Sequence, residues 1–164
     1  MTRYATSHPL LRSIKNKNYE EVRYILEEHE DLDVNVVDGD GKNGLMIALE
    51  KGSDDIIKLL ITHKINLNTV NKEGKNALVI ALEKKKEEIA ILLIENGIEF
   101  PGGTFMDDRN LLGLSVGMSK VFHLLLSRGQ DINHVTKYGL NLLHCACFET
   151  DDLSVYECIL KNMK

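Results

Sequence analysis

At 164 residues, 43% hydrophobic and 27% charged, the chain is long enough to bury a sizeable core and too apolar for a disordered segment. A net charge of −5 argues against general nucleic-acid binding, which needs a basic face to replace phosphate counterions. No stretch approaches the roughly 20 apolar residues that cross a bilayer, and Met1–Pro9 carries no apolar core of signal-peptide length. Taken in order, Pro9-Leu10-Leu11 predicts a helix, with proline at the first helical position, where its missing N–H costs nothing. Tyr19 to Leu26 predicts a second, with Val22, Ile25 and Leu26 at helical spacing, and Asp33-Val34-Asn35 leads into a hairpin.

The next 63 residues write one pattern twice. Gly41 and Gly74, Asn43 and Asn76, Leu45 and Leu78, Ala48 and Ala81, and Ile56 and Ile89 are each 33 apart. A fixed period of this length marks stacked repeats, none of which buries its apolar face alone. Asn43 and Asn76 stand where a side-chain oxygen can cap free N–H groups. Gly41 and Gly74 occupy turns expected at positive φ, Gly52 breaks the first helix of its copy, and Gly97 ends the second helix of the next.

Residues 98–110 break the rhythm with an irregular, slightly lengthened connector that lacks the hairpin glycine. The pattern resumes at Asn110-Leu111-Leu112, with Ser115 in the alanine place, and this copy is shorter between its helices by about two residues. A fifth copy opens at Thr136 and places its second helix from about Leu153 to Leu160. The expected copies are 5–37, 38–70, 71–103, 104–135 and 136–164, forming one domain over 1–164.

Little else asks for chemistry. His144, Cys145, Cys147 and Cys158 are the one metal-like cluster, but Cys145 and Cys147 on a helix point about 200° apart and do not converge on an ion. No nucleophile–base pair, phosphate loop or paired carboxylate stands out, so no catalytic residue, metal or cofactor is expected. The mixed run Glu83-Lys84-Lys85-Lys86-Glu87-Glu88 reads as solvated surface. Three cysteines confined to the last twenty residues fit a reducing, intracellular setting, and a cytoplasmic location is expected.

A hairpin glycine, a capped Leu-x-x-Ala helix, a turn, an apolar Ile/Val-x-x-Leu-Leu helix and an Asp-Val-Asn close resemble the ankyrin repeat. Asn141-Leu142-Leu143-His144-Cys145-Ala146 is the nearest match to that family's Thr-Pro-Leu-His-x-Ala. Asp33-Val34-Asn35 and Asp131-Ile132-Asn133 match its close. Asparagine replaces the signature threonine in four copies, and Lys64 and Lys85 stand where the family usually has glycine. The resemblance implies an all-α helical solenoid without a catalytic centre, in which His144 is structural.

It further implies a protein–protein interaction module that binds through its hairpin tips and inner helices. The family's pattern carries the contact surface onto Lys42 and Lys75 in a charged half, with Asp40, Glu50, Lys51, Glu73, Glu83 and Lys84. It carries it onto Met106, Arg109, Met118, Tyr138, Leu140 and Phe148 in an apolar half, with Gly117, Lys137 and Glu149. The expected partner is another protein, not nucleic acid or membrane, met by a monomer. Two other classes stay open: the targeting part of a larger multidomain protein or enzyme, such as a microbial effector in a host cell, and a unit self-associating through its last repeat.

Overall fold

Asparagine caps the start of half of the described helices. In the computed structural model, which describes residues 8–29 and 32–163, the side-chain oxygens of Asn18, Asn43, Asn76, Asn110 and Asn141 each accept the N–H three residues on. Each thereby satisfies one of the donors that a helix start leaves unpaired. The opening segment Met1–Ser7, which by sequence lacks a signal-peptide core, lies outside the described residues.

The helices come in pairs: α1 (Pro9–Lys15) with α2 (Tyr19–Glu28), α3 (Gly44–Lys51) with α4 (Asp54–Thr62), and α5 (Ala77–Glu83) with α6 (Glu87–Glu95). After a 3₁₀ turn at Met106–Asp108 come α7 (Leu111–Ser115) with α8 (Ser119–Ser127), and α9 (Leu142–Glu149) with α10 (Leu153–Asn162). Among the described residues the β structure is a single bridge, Val37 to Asn43, across the foot of a hairpin. The second and last helices run two residues beyond the apolar runs that predicted them.

The chain divides into two compact units, one running to Ile80 with Asn96–Glu99, the other comprising Ala81–Glu95 and the chain from Phe100 on. In the first, α1 packs on α3 and α2 on α4; in the second, α6 packs on α8, α7 on α9 and α8 on α10. The small residue of each first helix makes this close approach possible: Ser13, Ala48, Ala81, Ser115 and Ala146 are fully buried. The two serines there donate to carbonyls of their own helices, Pro9 and Leu112, so no hydroxyl is buried unpaired at these positions.

The capping asparagines also tie successive elements together. The amide of Asn43 donates to the carbonyl of Asn66 at 2.9 Å, that of Asn76 to Glu99 at 2.9 Å, and that of Asn110 to Asp131 at 2.7 Å. The first two bonds span 23 residues and the third spans 21, so the fourth copy carries the predicted two-residue deletion inside this loop. Asparagine divides the two roles between Oδ1, which accepts, and Nδ2, which donates, where threonine would have to do both from one hydroxyl. A second set of bonds repeats every copy in the first unit: Asn35 Oδ1 accepts from Asn66 N–H, and Asn68 Oδ1 from Glu99 N–H.

The hairpins show one backbone with two chemistries. Asp38 N–H donates to Lys42 O, and Asn71 N–H to Lys75 O, with Gly41 and Gly74 at φ 78° and 76°. Phe105 N–H donates to Arg109 O in the same way, which puts Asp108 in the glycine place, at φ 62°. Aspartate tolerates this left-handed region better than most side chains, yet still at some cost. Lys17, Lys64 and Lys85 adopt it too, at φ 55–57°, where their helices reverse.

Candidate functional site

In the first unit the charged surface is neutralised locally. Lys42 Nζ lies 2.7 Å from Glu50, and Lys75 Nζ lies 3.1 Å from Glu73. The hydrogen bond to Glu50 holds the Lys42 ammonium above its ordinary pKa, and the one to Lys75 holds Glu73 below its own. Lys15 adds a looser pair with Asp38, at 3.5 Å. These pairs leave the strip polar but nearly without net field.

The second unit concentrates its charge on one carboxylate. Glu149, at the end of α9, is bound by both the Lys85 ammonium and the Arg109 guanidinium. Burial pushes its carboxyl up, but hydrogen bonds and charge from Lys85 and Arg109 outweigh that and hold it below the usual carboxylate range. Burial likewise works against the Arg109 cation, and Glu149 more than offsets it. The clamp joins residues of three copies. Gly117 allows it: a Cβ there would stand 3.2 Å from the Glu149 carbonyl oxygen, tighter than most such contacts.

In the same unit four predicted apolar residues are open to solvent. Met106 is 51% exposed, Tyr138 68%, Leu140 38% and Phe148 84%. Asp108, whose carboxylate accepts from Lys137 N–H and Thr104 Oγ1, ties the Met106 hairpin to the Tyr138 hairpin. Those two bonds hold its carboxyl below the ordinary value. Lys137 Nζ lies over the Tyr138 ring, 5.2 Å from its centroid, within cation–π range. Leu140 also borders a small hollow with Arg109, His134 and Cys145.

Met118 is a correction. Expected on the open surface, it is 4% exposed and forms the N-terminal boundary of α8. Counting from the hairpin aligns it with the surface lysines Lys51 and Lys84. The deletion follows, however, and α7 ends early, so the connection to α8 turns the residue inward among Val121, Phe122 and their neighbours in the core. Arg109 is also less available than expected, being half-buried and committed to Glu149.

Lys85 is a site residue that sequence reasoning missed. It sits in a mixed-charge run that reads as solvated surface, and only the folded chain brings it to a carboxylate 64 residues away. Its one local signal was a lysine in a glycine position. His144 plays a structural part, in which its backbone N–H donates to Asn141 Oδ1 and its ring Nδ1 accepts from Asn141 N–H, a reciprocal cap. Cys145 is buried, and burial raises its thiol pKa, whereas Cys147 is exposed. Among the described residues no three His, Cys, Asp or Glu side chains are grouped so as to hold a metal.

A family model described as ankyrin repeats in three copies matches residues 10–101, more than half of the chain. The chain belongs to the ankyrin-repeat family. The paired helices, hairpins and absence of longer strands among the described residues agree with an ankyrin-type helical solenoid. No curated protein matches the chain. Ankyrin repeats are generally protein–protein interaction modules and are typically non-catalytic. Tyr138 and Phe148 lie beyond the matched ankyrin segment, whereas the exposed Tyr19 and Tyr24 lie within it. No helix among the described residues is long and apolar enough to cross a membrane.

Proposed function

We propose that this ankyrin-repeat chain binds another protein through the hairpin and inner-helix surface of its second unit, with Met106, Tyr138, Leu140 and Phe148 as apolar contacts. The observation that carries this reading is the exposure of those four side chains in the unit that also holds the Lys85–Glu149–Arg109 clamp. Solvent-exposed apolar groups of this size favour a partner that removes them from water. Tyrosine in particular is enriched among residues that dominate binding energies. The clamp holds the inner helix and the hairpins in place beforehand, so binding loses little conformational entropy.

The charged strip of Lys42 and Lys75 is assigned a lesser role: orientation and rate. Its cations already have acidic partners, so exchanging one partner for another gains little. The test compares wild type with Tyr138→Glu/Phe148→Glu and with Lys42→Glu/Lys75→Glu in capture from lysate, after checking that helicity is unchanged. A protein retained by wild type and the lysine variant but lost by the aromatic variant supports the reading. Equal retention by the aromatic variant and loss with the lysine variant would move the contact to the first unit.

A further inference from the structure

Aligned on the capping asparagine, the copies differ at two positions of the expected contact surface. The residue before the cap is Lys42, Lys75, Arg109 and then Leu140, and the residue seven places after it is Glu50, Glu83, Gly117 and then Phe148. In copy two these positions form an ion pair of their own, Lys42 with Glu50. Copy four keeps the cation but has glycine in the place of the acid, and copy five is apolar at both. Arg109 takes its acid from copy five instead, and shares Glu149 with Lys85, so that two cations meet one carboxylate. What solvent meets there is the ammonium: the Lys85 side chain is 50% exposed, against 18% for Glu149 and 21% for Arg109. The pairs of the first unit are the other way out, with Glu50 37% exposed against 18% for Lys42, and Glu73 63% against 22% for Lys75.

Glycine leaves this ammonium open as well as under-matched. A Cβ at the exposed Gly117 would stand 3.6 Å from Lys85 Nζ and 3.5 Å from Glu149 Oε2, so a side chain there would cover the clamp. The clamp is also tied to the apolar contacts. Glu149 follows Phe148, Arg109 follows Asp108, and the Asp108 carboxylate accepts from the N–H of Lys137, whose ammonium lies over the Tyr138 ring. On these hairpins and inner-helix ends the exposed acids are Asp107 and Asp151, against the exposed Lys84, Lys85 and Lys137. We propose that the partner protein meets this unit with a short segment that sets an acidic side chain beside large apolar ones, its carboxylate lying over Gly117 against the Lys85 ammonium. That carboxylate takes the place that Glu50 holds in copy two. The inference rests on the partner surface proposed above and names what that surface selects. A carboxylate gains charge-assisted hydrogen bonds to an ammonium that shares its one acid with Arg109, whereas a basic segment meets like charge. A purely apolar segment would strip water from Lys85 and replace it with nothing.

The probe is a phage-displayed library of random short peptides, selected on the purified chain. Enriched peptides should carry Asp or Glu within a few residues of Phe, Trp, Tyr, Leu or Met. A synthetic copy of one such peptide should bind at least about tenfold more weakly to Tyr138→Ala/Phe148→Ala. It should bind about three- to tenfold more weakly to Lys85→Gln, and equally so when its own acid is replaced by the amide. The last two changes together should cost little more than either alone, a coupling that a purely structural Lys85 would not give. Lys85→Arg keeps the charge and should keep both affinity and coupling, and melting temperatures show that the variants remain folded. Peptides that need Tyr138 and Phe148 but carry no acid, or whose acid does not couple to Lys85, overturn the inference and leave the surface reading in place. Peptides indifferent to the aromatic variant overturn both. A selection that returns no binder overturns the inference, which commits to a short segment.

Discussion

Copies two and three cap their hairpins with side-chain oxygens of their own, whereas copy four lacks such an oxygen and its hairpin is bound to residues of copy five. In the first pair, Asp38 and Asn71 each cap their own turn through a side-chain oxygen, glycine takes the left-handed position, and each lysine finds an acid in its own copy. In copy four, Phe105 replaces the capping oxygen, Asp108 takes the glycine place, and Arg109 reaches Glu149, 40 residues away; copy five returns to the local pattern, with Gly139 at φ 77° and Thr136 Oγ1 accepting from Leu140 N–H. Distant closure costs backbone strain, and it fixes a hairpin and an inner helix in one arrangement with apolar side chains outward. That is the arrangement a contact surface needs.

The comparison can be broken most sharply at the stacking position. Leu49→Ala should cost about 2–5 kcal/mol by removing a fully buried side chain, while Cys147→Ala at the equivalent place in copy five should cost less than about 0.5 kcal/mol. Urea unfolding of the two variants measures the difference, and comparable losses would mean that the last face is covered in solution. Next in size is the asparagine pair. Asn76→Ala loses both a helix cap and the bond to Glu99, and should cost about 2 kcal/mol; Asn141→Ala loses the cap on an exposed helix end, at about 1 kcal/mol. Equal losses in thermal unfolding would deny the amide its tying role.

The clamp gives a smaller and pH-dependent effect. Glu149→Gln should cost about 1 kcal/mol near neutrality, against almost nothing for Glu50→Gln on the exposed strip. The Glu149 carboxyl is lowered in the folded chain, so its contribution is complete above the ordinary carboxylate pKa and disappears as pH falls through the native value. The gap between wild type and Glu149→Gln should therefore close in acid; a gap constant from about pH 7 to about pH 3 would show that the clamp is not ionic. The smallest effect separates two lysines in the same conformation. Lys64→Gly relieves a left-handed residue and should stabilise by up to about 1 kcal/mol, whereas Lys85→Gly should gain less because Glu149 loses a partner. A larger gain at Lys85 in the same unfolding experiment would show that its ion pair contributes nothing.

How much was legible depends on the range of the interaction. The 33-residue period, the capping asparagines and the glycines at 41, 52, 74 and 97 are local facts, and the fold repeats them as read, down to the two-residue deletion in the fourth copy. Tyr138 and Phe148 could be placed on the surface because copy five keeps its spacing from hairpin to helix. Met118 could not, because its side depends on which end of a shortened connection is counted. The tertiary structure alone joined Lys85 and Arg109 to Glu149 and turned Met118 into the core, since a charge finds its partner, and a short loop its direction, only after the helices have packed. Backbone propensity and periodicity act within a few residues and are written in the sequence; ion pairs across 40 to 64 residues are consequences of the stack it builds.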